Sequence, residues 1–211
     1  MEKTDIPLNL SQSPTSAASA RMAMLALIPS AIAFNLAIAT VVRNLKLPIY
    51  LDCMGGIAAT LITGFWPGVI VAAVSQILGC VFTAPDYMLY TGTAVMMSVY
   101  AYLLGKVGGF KTYPRAVFTG IGMGVVSAMV SFGITYARFG ITSAGSTFVT
   151  LFYEHHGFSL LPATILSGLT CDPVDKIAEC LIVVSLIRAV PRDLLRRFRG
   201  GSLDRNFTLA D

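Results

Sequence analysis

Charged residues are scarce in this 211-residue chain. They make up 12% of the sequence, whereas a soluble globular protein carries about 25%. Long runs such as residues 22–42 and 55–81 contain no Asp, Glu, Lys or Arg. Such runs are typical of helices that cross a lipid bilayer, which need about 20 apolar residues. The scarcity of charge therefore argues against a soluble protein and predicts an integral membrane protein.

Motifs for catalysis, nucleotide binding and metal binding are also missing. The chain has no HExxH, GxSxG or GxxxxGK[ST] motif, and its four cysteines form no CxxC pair. We interpret the cysteines as small buried thiols. The only two histidines, His155 and His156, are adjacent and have no third metal ligand in sequence. We therefore predict a protein that is not an enzyme and that has no cofactor and no metal site.

Apolar periodicity and turn residues predict an all-α bundle of about six membrane helices. The predicted helices cover residues 23–42, 50–65, 68–83, 88–104, 116–136 and 173–190. An apolar lead-in, residues 160–169, precedes the sixth. Glycines 120, 122 and 124 lie inside the fifth helix, where they favour close helix packing over phosphate binding.

Two flanking segments are predicted on either side of the membrane domain. Residues 1–22 are predicted to be a disordered cytoplasmic segment, 23–191 the membrane domain, and 192–211 a basic cytoplasmic tail. The polar and aromatic stretch 138–158 is expected to be a surface cap or a re-entrant segment, because irregular backbone cannot lie bare in lipid.

Basic residues are distributed unequally between the two sides of this bundle. Of the 15 Lys and Arg residues, 11 fall on the side that carries both termini, three fall on the other side, and Lys176 lies in or near the sixth helix. The positive-inside rule then places both termini in the cytoplasm and the stretch 138–158 outside. The placement of basic residues on the cytoplasmic side explains the net charge of +4. We therefore predict that the chain interacts with a lipid bilayer and does not bind nucleic acid.

A rare group of ionisable residues lies at the predicted start of the sixth helix. If this helix begins at Pro173, Asp172 caps it, and Asp175 lies in a first turn that favours anions. Lys176 and Glu179 are three residues apart and can form an ion pair on one face. Alternatively, Asp175 or Lys176 points into a cavity open to the outside and binds a polar solute, because charges inside a membrane are often functional.

Further polar residues are predicted at the same external end. Asp52 opens the predicted second helix, Asp86 lies in the next external loop, and Glu154 and His155 lie in the stretch 138–158. A helix cap for Asp52 and plain surface for Glu154 and His155 are the structural alternatives. The convergence of scarce polar groups at one end of an apolar bundle instead predicts a solute pocket.

Short motifs along the chain resemble those of one transporter family. They are LPIYLDCMG at residues 47–55, GFWPG at 64–68, PVDK at 173–176 and AVPR at 189–192. Together, in this order within residues 23–198, they resemble the substrate-binding S components of energy-coupling factor (ECF) vitamin transporters, particularly the riboflavin-type group. The resemblance implies a six-helix protein of the bacterial cytoplasmic membrane that captures riboflavin or another ring-containing vitamin or precursor from outside.

The resemblance also implies partners and binding residues. An S component works with a membrane scaffold subunit and two cytoplasmic ATPases, and the small face of helix one, here Ala33 and Ala37, would dock on the scaffold. Within this chain, the same face can also pack against another helix of the bundle. Tyr50, Asp52 and Lys176 match the family pocket.

Two positions depart from the family pattern. Gln76 stands where the third helix of the family commonly has Asn, and Gly56 stands where Thr is expected.

The alternatives to a transporter subunit are a ligand-sensing membrane module and, less favoured, a membrane enzyme that acts through Glu154, Asp175 or Lys176.

Overall fold

The described part of the chain is all-helical in class, with short non-helical connections and no strands. A computed structural model describes residues 14–139, 145–191 and 195, with backbone alone for 14–21. Its elements in chain order are α1 (Pro14–Asn44), α2 (Met54–Thr63), α3 (Phe65–Phe82), a 3-10 helix (Pro85–Tyr90), α4 (Thr91–Lys106), α5 (Tyr113–Ala137), α6 (Ser146–His155) and α7 (Leu160–Ala189).

Four helical segments are long and apolar enough to cross a membrane. They are Met22–Asn44 of α1, all of α3, the 3-10 helix together with α4, and α5. At 10 residues, α2 is about 15 Å long, which is half the thickness of a hydrocarbon core. With 30 residues, α7 is long enough, but it carries four ionisable residues in its middle. The chain therefore has the all-helical architecture of a multi-pass membrane protein, with four spans identified by length and apolarity.

Two predicted helix starts are wrong. Helix α1 begins at Pro14, so residues 14–22, which were predicted to be disordered, are helical, whereas residues 1–13 lie outside the described residues. Pro173 lies inside α7, and the helix begins at Leu160. The predicted cap at Asp172 is therefore absent. Proline is tolerated inside membrane helices when neighbouring elements compensate for the lost backbone hydrogen bond, and here the apolar lead-in simply continues through it.

The predicted second helix is shorter than expected, and a non-helical segment replaces its first turn. Residues 45–53, here named the linker, connect α1 to α2. Leu51 in this segment has a φ of 50°, a left-handed conformation that is uncommon outside glycine. Irregular backbone inside a membrane bundle needs hydrogen-bond partners from the protein, and α7 supplies them, as described below.

Helices α5 and α7 approach closely at glycine positions, as the sequence predicted. A Cβ atom on Gly120 would lie 2.6 Å from Cα of Ile177, and one on Gly124 would overlap the backbone of Pro173. A Cβ on Gly122 would instead meet the side chain of Tyr100. Two of the three glycines thus let the α7 backbone contact α5 directly, which positions the ionisable residues of α7 inside the bundle.

Helix α6 occupies most of the described part of stretch 138–158. It lies against the first half of α7, where Ser167 donates a hydrogen bond of 3.1 Å to the carbonyl of Ser146. The hydroxyls of Tyr153 and Thr170 are 3.0 Å apart. Residues 140–144 lie outside the described residues. The stretch is therefore largely a short helix packed on α7.

Candidate functional site

A cavity of about 340 Å³ lies between the linker, α3, α4, α5, α7 and the 3-10 helix. Its lining comes from the first half of α7 and the second half of α5, which places it at the end of the bundle where α1 ends and α7 begins. Small-molecule sites have volumes of about 300–1,000 Å³. This cavity is therefore large enough for a compact organic molecule.

A cluster of charges borders the cavity near the middle of α7. The ammonium nitrogen of Lys176 lies 2.7 Å from Oδ2 of Asp175, 2.9 Å from Oε2 of Glu179 and 3.8 Å from Oδ1 of Asp52. Lys176 is 2% exposed, and Asp175 and Glu179 are completely buried. The predicted ion pair between Lys176 and Glu179 is confirmed, and Lys176 also lines the cavity.

The buried acids of α7 also hold the linker. One oxygen of Asp175 accepts hydrogen bonds from the backbone N–H groups of Tyr50, at 2.7 Å, and Leu51, at 2.8 Å. Glu179 accepts one from the N–H of Cys53, at 2.8 Å. Each acid therefore uses one oxygen for the ammonium of Lys176 and the other for linker backbone. These carboxylates replace the helical hydrogen bonds that the linker lacks.

Asp52 joins the linker to α1 and α3. Its Oδ2 accepts a hydrogen bond of 2.9 Å from Nε2 of Gln76, and its backbone carbonyl accepts one from the Asn35 amide of α1. Asn35 in turn accepts a 3.0 Å hydrogen bond from the N–H of Gly55. This network fixes the Asp52 carboxylate at the cavity wall, and its side chain does not cap α2.

Two buried polar atoms of the cavity lining have no hydrogen-bond partner among the residues that the structure describes. They are Oε1 of Gln76 and Oγ1 of Thr93. Gln76 is 1% exposed and Thr93 is 7% exposed. A buried polar atom without a partner costs about 1–3 kcal/mol, so a site with two such atoms is suited to a polar ligand.

Aromatic side chains form another part of the wall. Tyr87 and Tyr90 come from the 3-10 helix and Phe132 from α5. The position of the 3-10 helix is set by Asp86, which is 3.4 Å from a guanidinium nitrogen of Arg43 and 3.8 Å from one of Arg138. Both arginines lie at helix ends, so this ion-pair group fastens one wall of the cavity to α1 and α5.

The structure brings together some of the predicted solute-binding residues but not all. Tyr50, Asp52, Gln76 and Lys176 line the cavity, and Asp175 lies directly behind Lys176. Their binding role stays a prediction.

Glu154 and His155 lie away from the cavity, near the end of α6. The sequence placed them correctly in the stretch after α5, but neither residue lines the cavity. His155 contacts only the neighbouring ring of His156 among the ring contacts of the described residues. These two residues are not part of the candidate site.

Several lining residues were missed by sequence reasoning. Thr93 and Phe132 lie in apolar helices without any distinguishing motif, and Asp172 was interpreted as a helix cap. In the structure Asp172 is a cavity residue that faces the hydroxyl of Ser127 on α5. Its location inside a predicted membrane domain was the available signal.

One group of side chains could hold a metal by distance alone. Among the described residues, ligand atoms of Asp52, Cys53 and Glu179 lie within 4.8 Å of one another. The ammonium of Lys176 is already within 4 Å of both carboxylates. Because this internal cation takes the place that a metal would need, the group supports no metal site.

Comparison of the chain with known protein families, curated proteins and solved structures finds no match.

Proposed function

We propose that this chain is the substrate-binding subunit of an ECF-type importer and captures a vitamin or vitamin precursor from outside the cell. The observation that carries the proposal is one cavity that collects Tyr50, Asp52, Gln76 and Lys176 at the predicted external end of an apolar bundle. Its size suits a compact ring-containing solute, and its wall includes aromatic side chains. Riboflavin or a related ring compound is the proposed cargo.

The proposal includes a topology and a location. We propose six crossings, made by the four apolar segments, by α7, and by α2 together with the linker. Both termini then lie in the cytoplasm of a bacterium, as the distribution of basic residues indicates. A membrane scaffold subunit and two ATPases are the proposed partners.

The proposal is tested by purifying the tagged full chain from native membranes in mild detergent. We expect a scaffold protein and two ATPases to co-purify, and a small organic molecule to be released on denaturation and identified by mass spectrometry. A chain that carries a solute but never associates with ATPases would contradict the importer and favour a ligand-sensing module. Turnover of the solute by the chain alone would favour an enzyme.

The docking face of α1 gives a separate prediction. Ala33 and Ala37 are both exposed, whereas Asn35 and Ala39 are buried on the opposite face. The other helices of the bundle therefore do not cover the face of α1 that carries Ala33 and Ala37. We expect Ala33→Leu and Ala37→Leu to leave solute affinity unchanged and to reduce uptake by about tenfold or more, because bulky side chains keep a partner helix at a distance.

A matched control uses another exposed alanine. Ala137 lies at the end of α5, so Ala137→Leu should affect neither uptake nor solute affinity. Uptake is measured with radiolabelled solute in cells that contain the complete importer. Normal uptake by both α1 variants, with the complex still formed, would show that this face is not the docking surface.

A further inference from the structure

We propose that the cavity selects an uncharged or cationic ring solute that donates hydrogen bonds, and rejects ring solutes that carry a carboxylate or phosphate. This inference rests on the proposed solute-binding function and narrows it to a chemical class. It follows from the charges, the unpaired polar atoms and the aromatic wall of the cavity.

The charges at the cavity are predominantly negative. Asp52 and Asp172 line it, Asp175 and Glu179 lie behind it, and Lys176 is the only cationic residue among the described residues of its lining. The carboxylates of Asp52 and Asp175 alone outnumber the single ammonium of Lys176, so the site has a formal excess of negative charge. In a site of low dielectric, like charges repel strongly, so an anionic solute is disfavoured.

The one ammonium is not available to an anion. It lies within hydrogen-bond distance of Asp175 and Glu179, and its next nearest anionic neighbour is Asp52. An ammonium has three N–H donors, and two of them are already used by carboxylates. The third donor remains for a solute acceptor, but the two carboxylates in contact already offset the positive charge that would attract a solute anion. Lys176 therefore organises the site and does not serve as an anion receptor.

The unpaired atoms of the lining indicate what the solute must present. The carboxylate of Asp52 only accepts hydrogen bonds when ionised, so its contact with Gln76 orients the amide nitrogen toward Asp52 and leaves Oε1 as a free acceptor. An N–H or O–H group of the solute can satisfy this oxygen. The hydroxyl of Thr93 can donate to or accept from the same solute.

The aromatic part of the wall suits a flat ring. Tyr87, Tyr90 and Phe132 present aromatic surface to the cavity. Aromatic faces attract the edges of other rings and also cations, whereas the negative face of an aromatic ring does not attract anions. The aromatic wall and the carboxylates therefore favour the same class of solute, an amino- or amide-bearing heterocycle without an acidic group.

Solute selection is tested on the full chain purified in detergent. The protein is incubated with an equimolar mixture of matched pairs, namely nicotinamide with nicotinate, pterin with pterin-6-carboxylate, and riboflavin with its 5′-phosphate, and is then purified again. Solutes retained from the mixture, and any solute carried from the cells, are identified by mass spectrometry. We expect only uncharged or cationic ring solutes, with any acidic counterpart bound at least about 100-fold more weakly.

The possible outcomes separate this inference from the proposed function. Retention of a carboxylate or phosphate in preference to its uncharged counterpart would overturn the inference and leave a solute-binding protein. Retention of no solute, either from the cells or from the mixture, would overturn both.

Thr93→Val tests the unpaired hydroxyl directly. This substitution keeps the shape of the side chain and breaks no hydrogen bond of the described structure, so thermal stability should be unchanged or higher. Affinity for the retained solute should fall by about 3- to 10-fold, as expected for one lost neutral hydrogen bond. Unchanged affinity would remove Thr93 from the contacts.

Ser75→Ala is the matched control. Ser75 is also buried without a partner for its hydroxyl, but it does not line the cavity. Loss of the Ser75 hydroxyl should leave solute affinity unchanged.

Discussion

Lys176→Met should destabilise the folded protein by about 3–5 kcal/mol, the cost of removing one partner of a buried ion pair. Methionine keeps the apolar stem and removes the charge, which leaves Asp175 and Glu179 buried against each other. Both acids also hold the linker, so the cavity wall should loosen as well. The measurement is the temperature at which the detergent-purified protein loses its monodisperse state.

Two variants distinguish this role from a general effect of charge. Lys106→Met removes the same charge from an exposed position at the end of α4 and should change stability little. Adding Glu179→Gln to Lys176→Met should recover part of the lost stability, because the amide oxygen can still accept from Cys53 and one buried charge is gone. A Lys176→Met protein as stable as wild type would refute the structural role of the ammonium.

Gly124→Ala is the second substitution with a large expected effect. The added methyl group would overlap the backbone of Pro173, and backbone cannot rotate away as a side chain can. Overpacking typically costs about 1–3 kcal/mol, and we expect the upper end of this range here. Because α7 would have to move away from α5, solute binding should be lost together with stability.

The same helix provides the control for this substitution. A Cβ atom on Gly133 would meet nothing within 4 Å, so Gly133→Ala should leave stability and binding intact. Both variants are compared by thermal denaturation and solute titration. Equal stability of the two variants would mean that α5 and α7 do not meet at Gly124.

Features that depend on short-range patterns were predictable from the sequence. Long uncharged runs correctly indicated apolar helices, and the glycines at 120 and 124 correctly indicated close packing, because both follow from helix geometry alone. The pair Lys176 and Glu179 was predictable for the same reason, since residues three apart share a helix face.

Features that depend on tertiary contacts were not predictable. The local rule that proline starts a helix failed at Pro173, because the apolar segment before it continues the helix. Residues 50–53 of the linker were predicted to be helical, because the acid that satisfies the backbone of Tyr50 and Leu51 is about 125 residues away in sequence. Glu154 and His155 were assigned to the pocket by topology alone, and their position outside the cavity lining became clear only in three dimensions.

The long separation between the linker and its partners has a consequence for biosynthesis. The ribosome releases the linker well before α7, so its N–H groups at Tyr50, Leu51 and Cys53 must wait for Asp175 and Glu179 to be synthesised. Until then, α2 is too short to cross the bilayer alone and its preceding segment has unsatisfied backbone groups. The N-terminal half is therefore expected to complete its insertion only after α7 enters the membrane.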